Sequence, residues 1–125
     1  MLSAAATVRI FQKEVEGIRY PAGSEIFRQG EIGDVMYGIL EGEVDLVVNG
    51  EVVETLQQDD IFGEGALVQT SQTRASTAIA RTDCVLASLD RRRFLFAVQE
   101  TPMFALEVMQ SFSNRLRRFK QKQQA

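Results

Sequence analysis

The 125-residue sequence contains no histidine, no tryptophan and one cysteine, Cys84. Without histidine the chain cannot form a His-ligated zinc or iron site, a Ser-His-Asp triad or a Cys-His pair. One cysteine cannot form an internal disulfide, and the apolar residues after Cys84 predict a small buried side chain rather than a reactive thiol. We therefore expect no catalytic residues and no metal-binding residues.

The sequence also lacks the apolar run of about 18 residues that a membrane span requires. Residues 1–7 have neither a basic start nor a long apolar core, so they do not read as a signal peptide. The 45% hydrophobic and 25% charged content is typical of a globular protein of one domain. We expect a single cytoplasmic domain over residues 1–125 with no membrane contact; whether it is a fragment of a larger protein is left open.

Glycine is absent from the second half, since all nine glycines lie between Gly17 and Gly65. In the first half, short apolar runs separated by turn residues predict six to eight strands over about residues 14–89. The Asn49-Gly50 pair predicts a hairpin turn, because both turn positions need positive φ. Such spacing is typical of a β-sandwich or roll. The runs lie at residues 15–20, 25–28, 35–40, 43–48, 51–56, 76–81 and 85–89.

The glycine-free half predicts helices over about residues 90–124. Asp90 is a suitable N-cap for a helix over residues 91–98, and Pro102 separates that helix from a longer one. Apolar residues then recur at steps of four and three along one stripe. The stripe packs either on the chain's own strands or on a partner helix, as in a homodimer, and both interpretations stay open. Its members are Ala105, Met109, Phe112, Leu116 and Phe119.

The last helix ends in a run of cations with no acid after Glu107. Cations at a helix C-terminus complement the helix dipole, so a solvated basic end is the simpler interpretation. Direct nucleic-acid binding is disfavoured, because the net charge is −3 and no later segment could form a helix-turn-helix. The cations are Arg115, Arg117, Arg118, Lys120 and Lys122.

Arg74 is an isolated cation after a long acidic stretch. No lysine or arginine lies between Arg28 and Arg74, whereas ten acids do. Residues 62–67, Phe-Gly-Glu-Gly-Ala-Leu, predict a tight turn into a very short helix. Small residues there let backbone N–H groups approach an anion, and an arginine delivered to them can contact a phosphate in two places.

Residues 62–67 together with residues 73–78, Thr-Arg-Ala-Ser-Thr-Ala, resemble the phosphate-binding cassette of cyclic nucleotide-binding domains. The upstream segments 21–23, 26–30 and 39–44 are similar to the same family, and the resemblance extends from about Phe11 onward. It implies an α+β fold in which an antiparallel β-roll, of the double-stranded β-helix or jelly-roll type, carries a short N-terminal helix and a short cassette helix. Two C-terminal helices, B and C, complete that fold.

The resemblance also implies residue roles. Glu64 would accept a hydrogen bond from the ribose 2′-hydroxyl, and Arg74 would pair with the cyclic phosphate. The N–H groups of Gly65, Ala66 and Ala75 would complete the anion cradle. The implied ligand-binding residues are Gly63, Glu64, Gly65, Ala66, Arg74, Ala75 and Ser76, with Arg115 and Phe119 of the last helix as candidate lid contacts.

Ala75 indicates which cyclic nucleotide the site prefers. Family members that favour guanine often have a hydroxyl residue directly after the arginine, so Ala75 favours cyclic AMP over cyclic GMP, although Ser76 comes next. Three positions depart from the family pattern. Thr73 replaces a frequent proline, Gly65 replaces an aliphatic residue, and Phe119 cannot hydrogen-bond the adenine edge.

These residues predict a non-enzymatic sensor in which cyclic AMP, with no further cofactor, rearranges the last helix and so acts on an unidentified effector protein. The alternative is a protein-interaction or dimerisation scaffold that has lost the ligand, which the three departures favour. An enzyme on a cupin-like roll is the remaining class, but such enzymes usually need histidine metal ligands.

Overall fold

The computed structural model describes the backbone of residues 3–12 and 16–124, with side chains through residue 121. Val15, where the first strand was expected to begin, and the side chain of Lys122 lie outside the described residues. The elements in chain order are α1 (Ala4–Phe11), β1 (Ile18–Tyr20), β2 (Glu25–Phe27), β3 (Val35–Glu41), β4 (Val44–Val48), β5 (Glu51–Leu56), β6 (Ile61–Phe62), α2 (Gly65–Val68), β7 (Thr77–Ala80), β8 (Cys84–Asp90), α3 (Arg91–Glu100) and α4 (Met103–Gln124).

The strands form two antiparallel four-stranded sheets, ordered β1-β8-β3-β6 and β2-β7-β4-β5. They enclose a roll rather than a closed barrel, so the predicted α+β roll with flanking helices is confirmed. Sequence reasoning missed β6, because two residues show no periodicity. Phe62 and Ile61 of this strand pair with Tyr37 and Gly38 of β3.

Local sequence signals fix the ends of several elements. Asn49 and Gly50 have φ angles of 51° and 84°, which confirms the predicted tight turn between β4 and β5. The Asp90 carboxylate accepts a hydrogen bond from the Arg93 N–H at 2.8 Å, so Asp90 caps α3 as predicted. Pro102 directly precedes α4, where it separates the two C-terminal helices.

The core has two parts. One fills the inside of the roll and includes Cys84, which is 3% exposed, as predicted; burial raises the pKa of its thiol. The other lies between the helices and the roll and includes Met36, Leu67 and Phe104. A Cβ at Gly38 would lie 2.9 Å from Ala5 Cα, so glycine in β3 permits the close approach of α1.

The predicted apolar stripe is not the face that buries α4. Phe104 and Val108 pack in the core, and Glu107 is buried beside them with its carboxylate accepting a hydrogen bond from the Thr7 hydroxyl. The stripe residues from the second onward are 42–57% exposed, namely Met109, Phe112, Leu116 and Phe119. Within residues 3–12 and 16–124, no helix combines the length and apolar character needed to cross a membrane.

Candidate functional site

A cavity of about 200 Å³ lies between the α2 region and α4. The seven expected ligand-binding residues line it together with Arg115: Gly63, Glu64, Gly65, Ala66, Arg74, Ala75 and Ser76. Phe119 lies outside this cavity and lines an adjoining groove of about 280 Å³. The structure therefore brings the predicted residues together at one place, with Phe119 at its extension.

The backbone around Arg74 is held by the loop that follows β2. The Arg74 N–H donates to the Glu31 carbonyl at 2.8 Å, and the Arg74 carbonyl accepts from the Gly30 N–H at 2.9 Å. Ile32 and Thr73 form a β-bridge beside these bonds. Thr73, where the family often has proline, therefore takes part in a paired backbone directly before Arg74.

The Arg74 guanidinium lies in a buried residue, which is 6% exposed. Nη1 donates to the Gly63 carbonyl at 2.9 Å, Nη2 donates to the Val35 carbonyl at 2.7 Å, and the Phe27 ring centroid lies 4.0 Å from Cζ. Nε is buried with no hydrogen-bond partner, and none of the described carboxylates forms an ion pair with this side chain. Burial lowers the Arg74 pKa, because the charged form loses hydration. The site therefore holds a positive charge with no ion-paired carboxylate among the described residues, and Asp34, Glu31 and Glu64 act on it only at longer range.

Two glycines make room for this guanidinium. A Cβ on Gly33 would overlap Arg74 Nε, and a Cβ on Gly63 would lie 2.8 Å from Arg74 Nη1. Gly63 also has a φ of 80°, which lets the chain turn between β6 and α2. Gly33 was not assigned to the site from the sequence, because its close approach to Arg74 spans two distant segments.

Glu64 is 1% exposed and faces the cavity from the start of α2. Its Oε1 accepts from Arg115 Nη1 at 3.2 Å, while Arg115 Nη2 donates to the Ile61 carbonyl. Glu64 Oε2 and Arg115 Nε are both buried with no partner among the described residues. A free acceptor and a free donor of this kind suit a ligand hydroxyl, which can donate and accept hydrogen bonds.

The expected backbone donors differ in availability. The Ala66 N–H already donates to the Gly63 carbonyl, at a long 3.3 Å. Gly65 is the first residue of α2, where an N–H has no intrahelical acceptor. The Ala75 N–H finds no acceptor in the part of the chain that the structure describes. Gly65 and Ala75 therefore offer the freer donors of the predicted cradle.

The adjoining groove is largely apolar. Phe112, Leu116 and Phe119 of α4 face Leu46 of β4 across it. The groove also contains Glu54 of β5, which is 7% exposed and accepts from Arg118 Nε at 2.8 Å. Sequence reasoning missed Glu54, although the two-residue period of a strand places it on the same face as buried Leu56, and this signal could have found it.

Comparison with known proteins agrees with this geometry. The family model described as cyclic nucleotide-binding domain matches residues 18–101. Over 72 residues the chain is 47% identical to a cAMP-dependent protein kinase regulatory subunit of Eremothecium gossypii, which covers 58% of this chain and 16% of that protein. Over 103 residues it is 27% identical to the cAMP-activated global transcriptional regulator CRP of Salmonella typhimurium, covering 78% of this chain and 49% of that protein.

The crystal structure of the Thermus thermophilus catabolite activator protein superposes with a TM-score of 0.79 at 25% identity, covering 97% of this chain and 57% of that one. This chain spans about half or less of the length of the curated relatives named here. By their names, these curated relatives are a regulatory subunit and a transcriptional regulator. Because the family model covers most of the chain and the roll matches a catabolite activator, the chain belongs to the cyclic nucleotide-binding domain family.

Proposed function

We propose that this domain is a regulatory module that binds cyclic AMP, that binding rearranges α4, and that the domain has no catalytic activity of its own. The observation that carries the proposal is the Arg74 guanidinium, which is buried with neutral carbonyls as its hydrogen-bond partners. A buried charge without an ion-paired counterion is costly, and the phosphate of a ligand would supply one. The relatives named as cAMP-dependent and cAMP-activated support this choice of ligand.

The chemistry of the cavity suggests how such a ligand lies. The cyclic phosphate would face Arg74, whose Nε has no partner, and the N–H groups of Gly65 and Ala75. The ribose 2′-hydroxyl would donate to Glu64 Oε2, since a carboxylate oxygen is an acceptor only. The cavity and the groove are each smaller than the roughly 300 Å³ at which small-molecule pockets begin. We therefore place the phosphate and the ribose in the cavity and the base in the adjoining groove.

The choice of cyclic AMP over cyclic GMP rests on Ala75, whose side chain offers no hydroxyl to the ligand. Ser76 lines both the cavity and the groove, so its hydroxyl is a candidate to compensate. A direct comparison of the two ligands decides between them.

The proposed response passes through Arg115. This residue joins α4 to Glu64 and to the Ile61 carbonyl, so a ligand that bonds Glu64 acts on the same group that holds the helix. A ligand shifts a conformational equilibrium by the difference in its affinity for the two states. We propose that α4 then presents a changed surface to an effector protein.

The decisive experiment is calorimetric titration with cyclic AMP and cyclic GMP. We expect one site per chain, and Arg74→Ala should weaken cyclic AMP binding at least about tenfold, because removal of one partner of a buried ionic contact costs about 2–5 kcal/mol. Arg19→Ala, which removes an exposed arginine of β1, is the matched control and should bind normally. The absence of detectable heat at high micromolar ligand contradicts the proposal.

We also propose that residues 1–125 act as one regulatory domain, with no catalytic step. The cytoplasmic location expected from the sequence stays a prediction and can be checked by fractionation of cells that produce the protein.

A homodimer through α4 is a further proposal, and the exposed stripe favours it. Contiguous exposed apolar surface of this kind marks interaction sites. Met109 is 57% exposed and lines neither the cavity nor the groove, so Met109→Glu should disrupt a dimer without touching the ligand site. Light scattering at high concentration should give a dimeric mass for the native chain and for Gln110→Glu, and a monomeric mass for Met109→Glu.

A monomeric native mass, with and without cyclic AMP, removes the homodimer. The alternative function, a scaffold that has lost its ligand, is favoured by a dimer that gives no heat with either nucleotide.

A further inference from the structure

Glu54 is a buried acid in a wall that is otherwise almost entirely apolar. It is 7% exposed and lies in the groove with Val48, Leu116 and Phe119. Removal of a carboxylate from water is costly unless hydrogen bonds or a countercharge replace the hydration. Arg118 supplies such a countercharge to Glu54 at 2.8 Å, and the carboxylate at the same time faces the proposed ligand groove.

The structure accounts for one of its two carboxylate oxygens. Oε1 accepts from Arg118 Nε at 2.8 Å, and the Arg118 side chain is 44% exposed. No donor from the described residues reaches Oε2. Arg118 therefore orients the carboxylate, and one acceptor oxygen is left for a ligand.

The groove is the place where a nucleotide base would lie, and this step rests on the proposed function. The groove and the cavity share five lining residues, so they form one continuous depression. Arg74 lines the cavity alone, whereas Glu54 and Phe119 line the groove alone. With the phosphate at Arg74 and the ribose at Glu64, the base extends toward Glu54. The shared residues are Leu46, Ala75, Ser76, Phe112 and Arg115.

We propose that Glu54 determines base specificity by accepting a hydrogen bond from the exocyclic amino group of adenine. A carboxylate can only accept, and adenine carries an amino donor at C6 where guanine and hypoxanthine carry a carbonyl oxygen. Where Glu54 faces the C6 substituent, that carbonyl oxygen meets the carboxylate acceptor to acceptor, so guanine or hypoxanthine bonds Glu54 only if the ring shifts to bring its N1–H to the carboxylate. The apolar groove walls and Phe119 contact the ring faces of any purine, so they add affinity without this discrimination.

A comparison of two ligands on the unmodified chain tests the proposal directly. Purine riboside 3′,5′-cyclic monophosphate is cyclic AMP without its amino group. Calorimetry should give an affinity for cyclic AMP about tenfold higher, as a hydrogen bond to a charged group predicts. Equal affinities overturn the role of Glu54 and leave cyclic nucleotide binding intact. No binding of either ligand overturns the proposed function as well.

Variants assign the difference to this residue. Glu54→Leu should abolish the preference for cyclic AMP over the purine analogue, whereas Glu54→Gln, which keeps an acceptor oxygen, should retain part of it. Glu51→Leu makes the same change at an exposed position of the same strand and should keep the whole preference. A preference that survives in Glu54→Leu, or tighter binding of cyclic GMP than of cyclic AMP by the native chain, contradicts the proposal.

Discussion

Arg115 of α4 and Glu64 at the start of α2 form an ion pair, with 3.2 Å between Nη1 and Oε1. The Arg115 side chain is 18% exposed and that of Glu64 is 1% exposed, so this pair is shielded from water on both sides. Because Arg115 also donates to the Ile61 carbonyl, one side chain joins the last helix to the end of the roll.

Arg115→Met should destabilise the fold. The substitution leaves the Glu64 carboxylate buried without its partner, and an unsatisfied buried charged group costs at least about 1–3 kcal/mol. Urea denaturation should show this loss. Arg117→Met, on the exposed side of the same helix, is the control and should change stability by less than about 0.5 kcal/mol. Equal effects of the two substitutions would show that the ion pair is not what holds α4.

Gly33→Ala should weaken cyclic AMP binding more than it weakens the fold. The new methyl group would overlap Arg74 Nε, so the guanidinium must leave the position between Gly33 and Gly63. We expect at least about a tenfold loss of affinity, as for a displaced charged contact. Gly38→Ala is the matched control, because its methyl group meets Ala5 of α1 and lies away from Arg74. It should lower the denaturation midpoint and leave the affinity of the folded protein unchanged.

Tyr37 should make the fold sensitive to alkaline pH. Burial, with a smaller contribution from Tyr20, raises the pKa of Tyr37 from 10.0 to about 12. Between these values the unfolded chain loses the phenol proton and the folded chain keeps it, so the free energy of unfolding falls as pH rises. We expect a loss of about 1–1.5 kcal/mol by pH 11.

Urea denaturation at pH 8, 10 and 11 measures this dependence. Tyr37→Phe keeps the ring that stacks on Phe27 and Phe62 but has no titrating group, so its stability should fall less over the same range. Identical slopes for the two proteins would show that the phenol does not titrate within this window.

Signals that are local in sequence predicted their elements well. Asn49-Gly50 and Asp90 each act within a few residues of their own position, and both are confirmed. The buried face of α4 was missed because it depends on contacts that are distant in sequence. Phe104 and Val108 are spaced like the stripe residues, and only the position of the roll decides which face is covered.

The residues of the site also divide into those that a local sequence pattern identified and those that it did not. The cassette pattern, which lies within residues 62–78, identified Glu64 and Arg74, and the structure brings them to one cavity. Gly33 and Glu54 reach that region from other strands and loops. The approach of Gly33 to Arg74 depends on tertiary packing that no local pattern contains. The strand period could have placed Glu54 on the buried face with Leu56, but its pairing with Arg118 again depends on tertiary packing.

Leu67 lies three residues after Glu64 and packs in the same core cluster as Phe104 of α4. The short helix α2 therefore has its proposed ligand contact at one end and a hydrophobic contact with the surroundings of α4 at the other, less than one turn apart. Each residue added to a helix rotates the later residues by about 100° around its axis. An insertion between Glu64 and Leu67 would therefore turn the leucine out of its core. The spacing of these two residues, as much as their chemistry, sets how ligand binding at Glu64 is coupled to the packing of α4.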